Sequence, residues 1–327
     1  MSQTEIGNLM INYIKQKRKR MAKVQKRTYA VIPQSKRTAI YKHLKADLCS
    51  DKILSHLDAG FEKSLFLASL RNLSDHGNPL RLNNFAYCMR EVIGLILSKY
   101  SSDEDIKRCR WFVQDPNTDV TRVQRVVYAI CGGMSPEYVR ETILEVEEEE
   151  DDLLAETLKS FSKKFNALSK YTHVRSDKYF NASEKDCEEQ SKNILVLTSD
   201  ILTLIEDCRN EILWKIEEHL NNAVINASIE RTMEGLDILS SHGMVNYLEL
   251  EDYSVEKITS QSIEINGGGT AYCTLEWGSR SDWRNGDGAS LDTDFPFNFK
   301  AFAAIANFED IDIPENHIDI DNRSWYE

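Results

Sequence analysis

The hydrophobic period of this chain changes at about residue 249, and this change constrains the fold more than any other feature. Before it, apolar residues recur at steps of three and four, which is the period of an amphipathic helix. After it, apolar and polar residues alternate, as at Phe295, Phe297 and Phe299, which is the period of a β-strand. The sequence therefore predicts an α+β protein: a mainly helical body of antiparallel helices, followed by a small antiparallel β module.

The clearest predicted helix runs from Leu80 to Tyr100, directly after the turn Gly77-Asn78-Pro79. One face of this helix carries an apolar stripe made of Leu82, Phe85, Met89, Val92 and Ile96. A neighbouring stripe places small residues around Arg90, so we expect Arg90 to lie in a tight cleft. A second, longer helix is predicted from about Ser183 to Ala227.

Two glycine clusters lie within the predicted β module. Gly267 to Gly269 separates two runs of β-forming residues, which predicts a hairpin turn. Asn285 to Gly288 predicts a second turn, and the isoleucines at 311, 313, 318 and 320 indicate further short strands. We therefore expect consecutive strands joined by short connections.

Charge marks the two ends of the chain. Residues 1–46 contain twelve Lys and Arg residues and one acid, whereas residues 249–327 contain seventeen Asp and Glu residues against five Lys and Arg residues. We predict three parts: a basic N-terminal helical extension (1–46), a helical domain (47–248) and an acidic β-rich module (249–327). A basic segment attracts nucleic-acid phosphates, and the candidate residues for this contact are Lys17, Arg18, Lys19 and Arg20. An acidic module suits a partner protein, and both ends are also compatible with plain solvated surface.

The sequence motifs of several protein classes are missing from this chain. No apolar run approaches the roughly 20 residues of a membrane helix, and no signal peptide is recognisable, so we expect a cytoplasmic protein without membrane contact. A Walker-type phosphate loop, a dinucleotide-binding G-x-G-x-x-G and an H-E-x-x-H metal motif are all missing from the sequence. The seven dispersed cysteines include no Cys-x-x-Cys pair and are expected to be reduced thiols. We therefore expect neither a metal nor another cofactor.

Arginine and histidine remain as candidate catalytic groups. Arg71 and His76 form the pattern Arg-polar-x-x-x-His. Such a pair can cleave RNA without a metal, because histidine moves the proton of the 2′-hydroxyl or the leaving oxygen while arginine stabilises the charged phosphorane. The same short pattern also fits a capping or solvent-exposed histidine.

A second candidate set joins Arg90 and Glu91 to His173 and Arg175. His173 and Arg175 lie in a predicted loop between two core helices, where functional groups tend to gather, and Arg175 is a candidate phosphate contact. The structural alternative is that Glu91 pairs with Arg90 and that His173 caps a helix end. The sequence does not decide between these two interpretations.

Three parts of the chain resemble a known family. Residues 77–91 (GNPLRLNNFAYCMRE), residues 168–173 (LSKYTH) and the tail, from 281–289 through 295–297 to 324–327, are similar to the predicted PIWI-associated nuclease families of bacterial conflict systems. Of these parts, the tail is similar to the β module that often accompanies these families. The helical part also resembles HEPN-type domains, whose usual motif falls here at Arg71 and His76. The HEPN resemblance implies a site built across a homodimer, whereas the nuclease-family segments place the histidine at His173.

Two functions are consistent with these observations. The leading hypothesis is a bacterial anti-phage defence protein that acts as a metal-independent nuclease, with RNA as the expected substrate and Arg/His chemistry at the site. The alternative is a non-enzymatic sensor or adaptor whose acidic β module (249–327) binds a partner protein. In that case the Arg and His residues are structural or hold an anionic ligand.

Overall fold

A computed structural model describes residue 44 and residues 47–76, 78–147, 152–174, 179–230, 234–314 and 317–326. The predicted basic extension, with Lys17 to Arg20, lies outside this range except for Leu44, and so does Arg175. The helices are α1 (Leu48–Ser55), α2 (Phe61–Ser74), α3 (Arg81–Tyr100), α4 (Asp103–Arg108), α5 (Arg122–Cys131), α6 (Pro136–Tyr138), α7 (Leu153–Ser169), α8 (Glu184–Glu230), α9 (Glu234–Asp237) and α10 (Arg280–Asn285). A π-helical turn (Val139–Ile143) follows α6, and 3₁₀ turns cover Lys170–Thr172 and Arg323–Tyr326.

The strands form one antiparallel sheet in the order β1-β2-β3-β4, with β5 also paired to β3. Their bounds are β1 (His242–Ile258), β2 (Ser262–Trp277), β3 (Ala289–Ala304), β4 (Asn307–Asp312) and β5 (Ile318–Ile320). The predicted fold class, a helical body followed by a small antiparallel sheet, is confirmed. The first strand already begins at His242, seven positions before residue 249.

The chain divides into two compact units. The first comprises the described parts of Met1–Ile93 and Lys163–Ser199, and the second those of Gly94–Ser162 and Asp200–Glu327. The unit boundaries fall inside α3, α7 and α8. Each unit has its own buried residues.

In the first unit, α2 packs against the first half of α3. The Ser69 hydroxyl on α2 lies 3.5 Å from the Met89 sulfur on α3, so these two helices approach closely at that level. The apolar stripe predicted for α3 is buried: Leu82, Phe85, Met89 and Val92 in this unit, and Ile96 in the second, are at most 2 % exposed. Burial of such side chains is the main favourable term in folding and fixes the rotation of α3 about its axis.

In the second unit, one face of the sheet is buried and the other is exposed. The predicted alternation on β3 is confirmed, because Phe295, Phe297 and Phe299 are each at most 4 % exposed while their neighbours are not. The turn after α5 meets the end of β1, where the Gly133 amide donates to the Thr259 carbonyl at 3.0 Å. A Cβ atom at Gly133 would lie 2.5 Å from Ser260, so only glycine fits at this contact.

The predicted hairpin turn at Gly267 to Gly269 is wrong. These glycines lie in the middle of β2, paired with β1 on one side and with β3 on the other. A Cβ atom at Gly269 would lie 1.9 Å from the Glu249 carbonyl oxygen, so the glycine permits close approach of two strands. The connection between β1 and β2 is the short segment Thr259 to Gln261 instead, closed by the Thr259 amide donating to the Ser262 carbonyl at 2.8 Å.

The second glycine cluster ends a helix. Gly286, with φ of 82°, is the left-handed C-cap of α10, and β3 begins three residues later at Ala289. Of the four isoleucines, Ile311 lies on β4, and Ile318 and Ile320 lie on β5. In the described part of the chain, no helix is both long enough and apolar enough to cross a membrane. The seven cysteines all lie in the described part of the chain and form no disulfide with one another.

Candidate functional site

His76 lies in the turn that connects α2 to α3. The helix ends at Ser74, and the His76 amide donates to the Ser74 carbonyl at 3.1 Å. Two further bonds close the turn: the Asn78 amide donates to Asp75, and the Arg81 amide donates to Asn78. These backbone bonds hold the imidazole at the start of α3, with about a third of its side chain exposed.

The His76 ring is bonded through Nδ1. Arg81 Nη1 lies 2.8 Å from this atom, and the Glu184 carboxylate lies 3.3 Å from it. Arg81 also forms an ion pair with Glu184 and donates to the Leu73 carbonyl at 3.4 Å. The Arg81 side chain is buried, whereas Glu184 is about half exposed. The three side chains therefore form one cluster, which joins α3, the preceding turn and the start of α8.

This geometry gives Nδ1 of His76 a partner in either protonation state. An arginine can only donate, so the bond from Arg81 places the lone pair on Nδ1 and the hydrogen on Nε2. When Nδ1 carries the hydrogen, the Glu184 carboxylate can accept it, and Nε2 is then the basic atom. Among the described residues no hydrogen bond to Nε2 is present. The tautomer that bonds Glu184 through Nδ1–H therefore has its lone pair on Nε2.

Cys187 lies beside this cluster but is not poised as a nucleophile. Burial is the largest effect on its thiol and raises its pKa, while the neighbouring Arg81 guanidinium acts in the opposite direction. The side chain is 3 % exposed. Because a thiolate is the nucleophilic form, Cys187 belongs to the packing of the cluster.

The segment that follows α7 is fastened to α3 close to this cluster. Asn83 Nδ2 donates to the carbonyls of Tyr171 at 2.6 Å and Tyr179 at 2.9 Å, and the Asn83 side chain is 6 % exposed. The Asn181 amide donates to the Pro79 carbonyl at 3.0 Å. Asn181 has φ of 52°, in the left-handed region that few residues other than glycine and asparagine adopt. Both ends of the segment are thereby held against the start of α3.

Arg90 reaches the same segment two helical turns after Asn83. Its Nη1 donates to the Thr172 hydroxyl at 3.0 Å, and its guanidinium lies over the Phe165 ring, 5.6 Å from the centroid. His173 follows Thr172 directly and is exposed, and Glu91 is exposed as well. The structure thus places Arg90 next to the His173 segment. No described contact joins Glu91 to either residue.

Arg81 and Glu184 belong to the cluster but were not predicted from the sequence. Arg71 lies in the last turn of α2 and is exposed, and the guanidinium bonded to His76 belongs to Arg81. Arg81 stood inside the segment that carried the family resemblance, but Glu184 had no local signal, since it lies 103 positions from Arg81. Only the packing of α8 against the start of α3 brings it there.

The fold and the cluster together define an α+β protein with a candidate acid–base site in its helical part. Two family models, both described as a predicted pPIWI-associating nuclease, match residues 54–197 and 205–326. Together they cover nearly the whole chain, and the chain belongs to this family of predicted nucleases, as the resemblance predicted. No curated protein and no solved structure matched the chain.

The two matched ranges meet within α8. The first ends at residue 197 and the second begins at residue 205, while the boundary between the two compact units lies between residues 199 and 200. His76, Arg81 and Glu184 all fall within the first range, and the whole sheet falls within the second. Among the described residues no three His, Cys, Asp or Glu side chains converge as metal ligands would.

Proposed function

We propose that this protein is a metal-independent ribonuclease in which His76 transfers the proton and the Arg81–Glu184 pair positions its ring. The observation that carries the proposal is the bonding of His76: Nδ1 has a guanidinium at 2.8 Å and a carboxylate at 3.3 Å. A histidine held in this way keeps its orientation through a catalytic cycle, as a general acid–base group requires. The family membership supports a phosphodiester as the bond that is cleaved.

In the proposed reaction, His76 reacts as the tautomer whose Nδ1–H donates to Glu184, and its Nε2 takes the proton from a ribose 2′-hydroxyl. The 2′-oxygen attacks the adjacent phosphorus, the bond from phosphorus to the 5′-oxygen breaks, and the imidazolium returns the proton to that 5′-oxygen. The products are a 2′,3′-cyclic phosphate and a 5′-hydroxyl. Glu184 stabilises the transient imidazolium, because opposite charges lie close together while the ring is protonated.

Arg71 is the candidate for the charge developing on the phosphate. The Arg81 guanidinium is buried and bonded to three groups, so its role is positioning. Arg71 is exposed and stands five positions before His76, in the pattern that resembles HEPN-type domains. The resemblance supports a homodimer in which a second copy contributes to the same site. The basic residues Lys17 to Arg20 would add phosphate attraction that weakens steeply with salt.

The biological setting is part of the proposal. The family description links these nucleases to pPIWI proteins, and we propose that this chain acts with such a partner in anti-phage defence. The sheet of the second unit is the proposed contact for that partner. His173 and Arg90 remain a second arrangement for the catalytic pair, because Arg90 holds the residue that precedes His173.

The test is cleavage of a single-stranded RNA by purified variants in the presence of EDTA. We expect His76→Ala to lose cleavage by a factor of about 100 or more, which is the usual scale of general acid–base catalysis. His219→Ala is the matched control, because this histidine lies on α8 in the other unit. Loss of cleavage in His173→Ala with retention in His76→Ala would move the site to the Arg90 segment. Unchanged cleavage in both variants would end the ribonuclease proposal.

A second candidate function, a partner-binding adaptor, is favoured by the exposed face of the sheet. Tyr247 and Tyr272 stack there with their ring centroids 4.2 Å apart, and Tyr272 donates to Glu249 at 3.3 Å. Hydrogen bonding to Tyr247 raises the pKa of Tyr272 to about 12. Substituting both tyrosines by serine should abolish capture of a pPIWI partner if the adaptor function holds, and should leave RNA cleavage unchanged if the helical unit performs it.

A further inference from the structure

Phe180 is an exposed aromatic residue beside the His76 cluster. Its side chain is 45 % exposed, although the residues on either side of it are bonded to the start of α3. No described aromatic ring stacks on it, in contrast to Tyr171 and Tyr179, which contact each other edge to face at 5.4 Å. The ring is therefore accessible to a ligand while the backbone on both sides of it is held in place.

The backbone around Phe180 is held at three points. The Tyr179 carbonyl accepts from Asn83 at 2.9 Å, and the Asn181 amide donates to Pro79 at 3.0 Å. Four residues after Phe180, the Glu184 carboxylate is paired with Arg81. Asn181 lies in this stretch and has a left-handed backbone conformation, with φ of 52°.

These bonds place Phe180 close to His76. Pro79, which holds Asn181, lies three residues after His76 in the same turn, and Glu184 lies 3.3 Å from the His76 ring. The ring of Phe180 is therefore attached to the same short stretch of structure as the imidazole. A nucleic-acid strand with its cleaved phosphate at His76 would bring a neighbouring base into reach of Phe180.

We infer that Phe180 is a stacking platform for an unpaired nucleobase, and that this site therefore selects single-stranded nucleic acid. The inference rests on the proposed function, since it takes a nucleic acid as the substrate. An aromatic face binds any unpaired base, because every base has a π surface. Bases inside a duplex are stacked on each other and cannot reach the ring, so a duplex lacks this contact.

The test uses binding instead of cleavage. A short fluorescent 2′-O-methyl oligonucleotide has no free 2′-hydroxyl, so the intact wild-type protein can bind it without cleaving it by the proposed route. We expect Phe180→Ala to weaken binding about tenfold, the effect of losing one base–aromatic stack. Phe180→Trp should bind at least as well as the wild type, and Phe180→Leu should bind as weakly as the alanine variant. The same oligonucleotide in a duplex should bind equally to all of them.

Phe61→Ala is the matched control. Phe61 is 71 % exposed and belongs to the same unit, but it begins α2, whereas His76 follows the end of that helix. A helix of 14 residues spans about 20 Å, so a base at the cluster cannot rest on Phe61. We expect this variant to bind as the wild type does.

The inference fails if Phe180→Ala binds like the wild type, if Phe180→Leu does so, or if the wild type does not bind the single strand. These outcomes do not depend on whether the proposed ribonuclease function is correct, because they measure binding of the oligonucleotide and not its cleavage. Normal cleavage by His76→Ala would overturn the catalytic proposal while a tenfold loss of binding in Phe180→Ala still supported the stacking site. Circular dichroism of each variant excludes unfolding as the cause of lost binding.

Discussion

Asn83 donates from its side-chain amide to the Tyr171 carbonyl at 2.6 Å, across 88 positions of sequence. The same amide nitrogen also donates to Tyr179 at 2.9 Å. One buried side chain therefore fastens both the beginning and the end of the segment that carries His173 and Phe180. Among the described residues between α7 and α8, the longest regular element is the 3₁₀ turn Lys170–Thr172, so the position of this segment depends on such single contacts.

Replacing Asn83 by alanine should loosen this segment. The change leaves two carbonyls without their donor, and we expect the free energy of unfolding to fall by about 2 kcal/mol. Hydrogen exchange of amides in 170–183 should accelerate more than exchange in β2. Asn84→Ala, at the neighbouring and half-buried position, is the control and should have a smaller effect. Equal stability of Asn83→Ala and Asn84→Ala would contradict the fastening role.

Replacing Glu184 by glutamine removes the negative charge of this side chain and keeps its shape. The amide oxygen can still accept from Arg81, but it no longer stabilises a protonated His76 ring. We expect RNA cleavage to fall about tenfold or more. Glu188→Gln, at an exposed position one turn later on α8, is the control. A purely structural Glu184 would change stability and leave cleavage by the folded variant unchanged.

Two glycine-to-alanine substitutions in the second unit should have opposite signs. A Cβ atom at Gly269 would lie 1.9 Å from the Glu249 carbonyl oxygen, so β1 and β2 must separate locally. We expect a loss of about 1–3 kcal/mol or more for Gly269→Ala. A Cβ atom at Gly94, on α3, meets nothing within 4 Å, and Gly94→Ala should stabilise by about 0.5–1 kcal/mol. Urea unfolding of both variants measures this, and a stabilising Gly269→Ala would refute the strand assignment.

The ion pair between Asp103 and Arg125 should contribute to stability only above acidic pH. Arg125 donates to the two carboxylate oxygens at 2.9 and 2.8 Å, and these bonds lower the pKa of Asp103. The unfolded chain therefore takes up the proton at higher pH than the folded chain does. The stabilisation is complete above the unfolded value of about 3.9 and is lost as pH falls through the lower folded pKa.

Asp103→Asn should accordingly be less stable than the wild type at pH 7 and nearly equal to it at low pH. Because both side chains are partly exposed, we expect a difference of no more than about 1 kcal/mol at pH 7. Thermal unfolding across this pH range measures it, with Glu104→Gln in the same first turn of α4 as the control. A constant difference at all pH values would show that the charge of Asp103 is not responsible.

Local sequence patterns predicted the helices and strands well. The features that they did not predict depend on contacts between residues far apart in the sequence. The apolar stripe of α3 predicted both its extent and its buried face, because helix period and burial are recorded in consecutive residues. Gly267 to Gly269 misled the sequence interpretation, since glycine serves in turns and also where two strands approach closely. A single sequence does not distinguish these uses, whereas the pairing of β2 on both sides does.

The candidate site was predicted only in part, for a related physical reason. The pattern from Arg71 to His76 indicated the histidine, because both residues lie at one helix end. The partners of its ring, Arg81 and Glu184, became visible only in the fold. Arg90 was expected in a tight cleft, and it is half-buried against Thr172 and Phe165. No local spacing encodes a contact over 103 positions.

The most direct test of the central claim is the chemistry of the products formed by wild-type protein and by His76→Ala. A short RNA with a single cleavable ribose, flanked by 2′-deoxy positions, is incubated with each protein in EDTA. We predict a 2′,3′-cyclic phosphate and a 5′-hydroxyl from the wild type, and no product above background from His76→Ala. Equal yields of the same products from both proteins would contradict the assignment of His76 as the proton-transfer group.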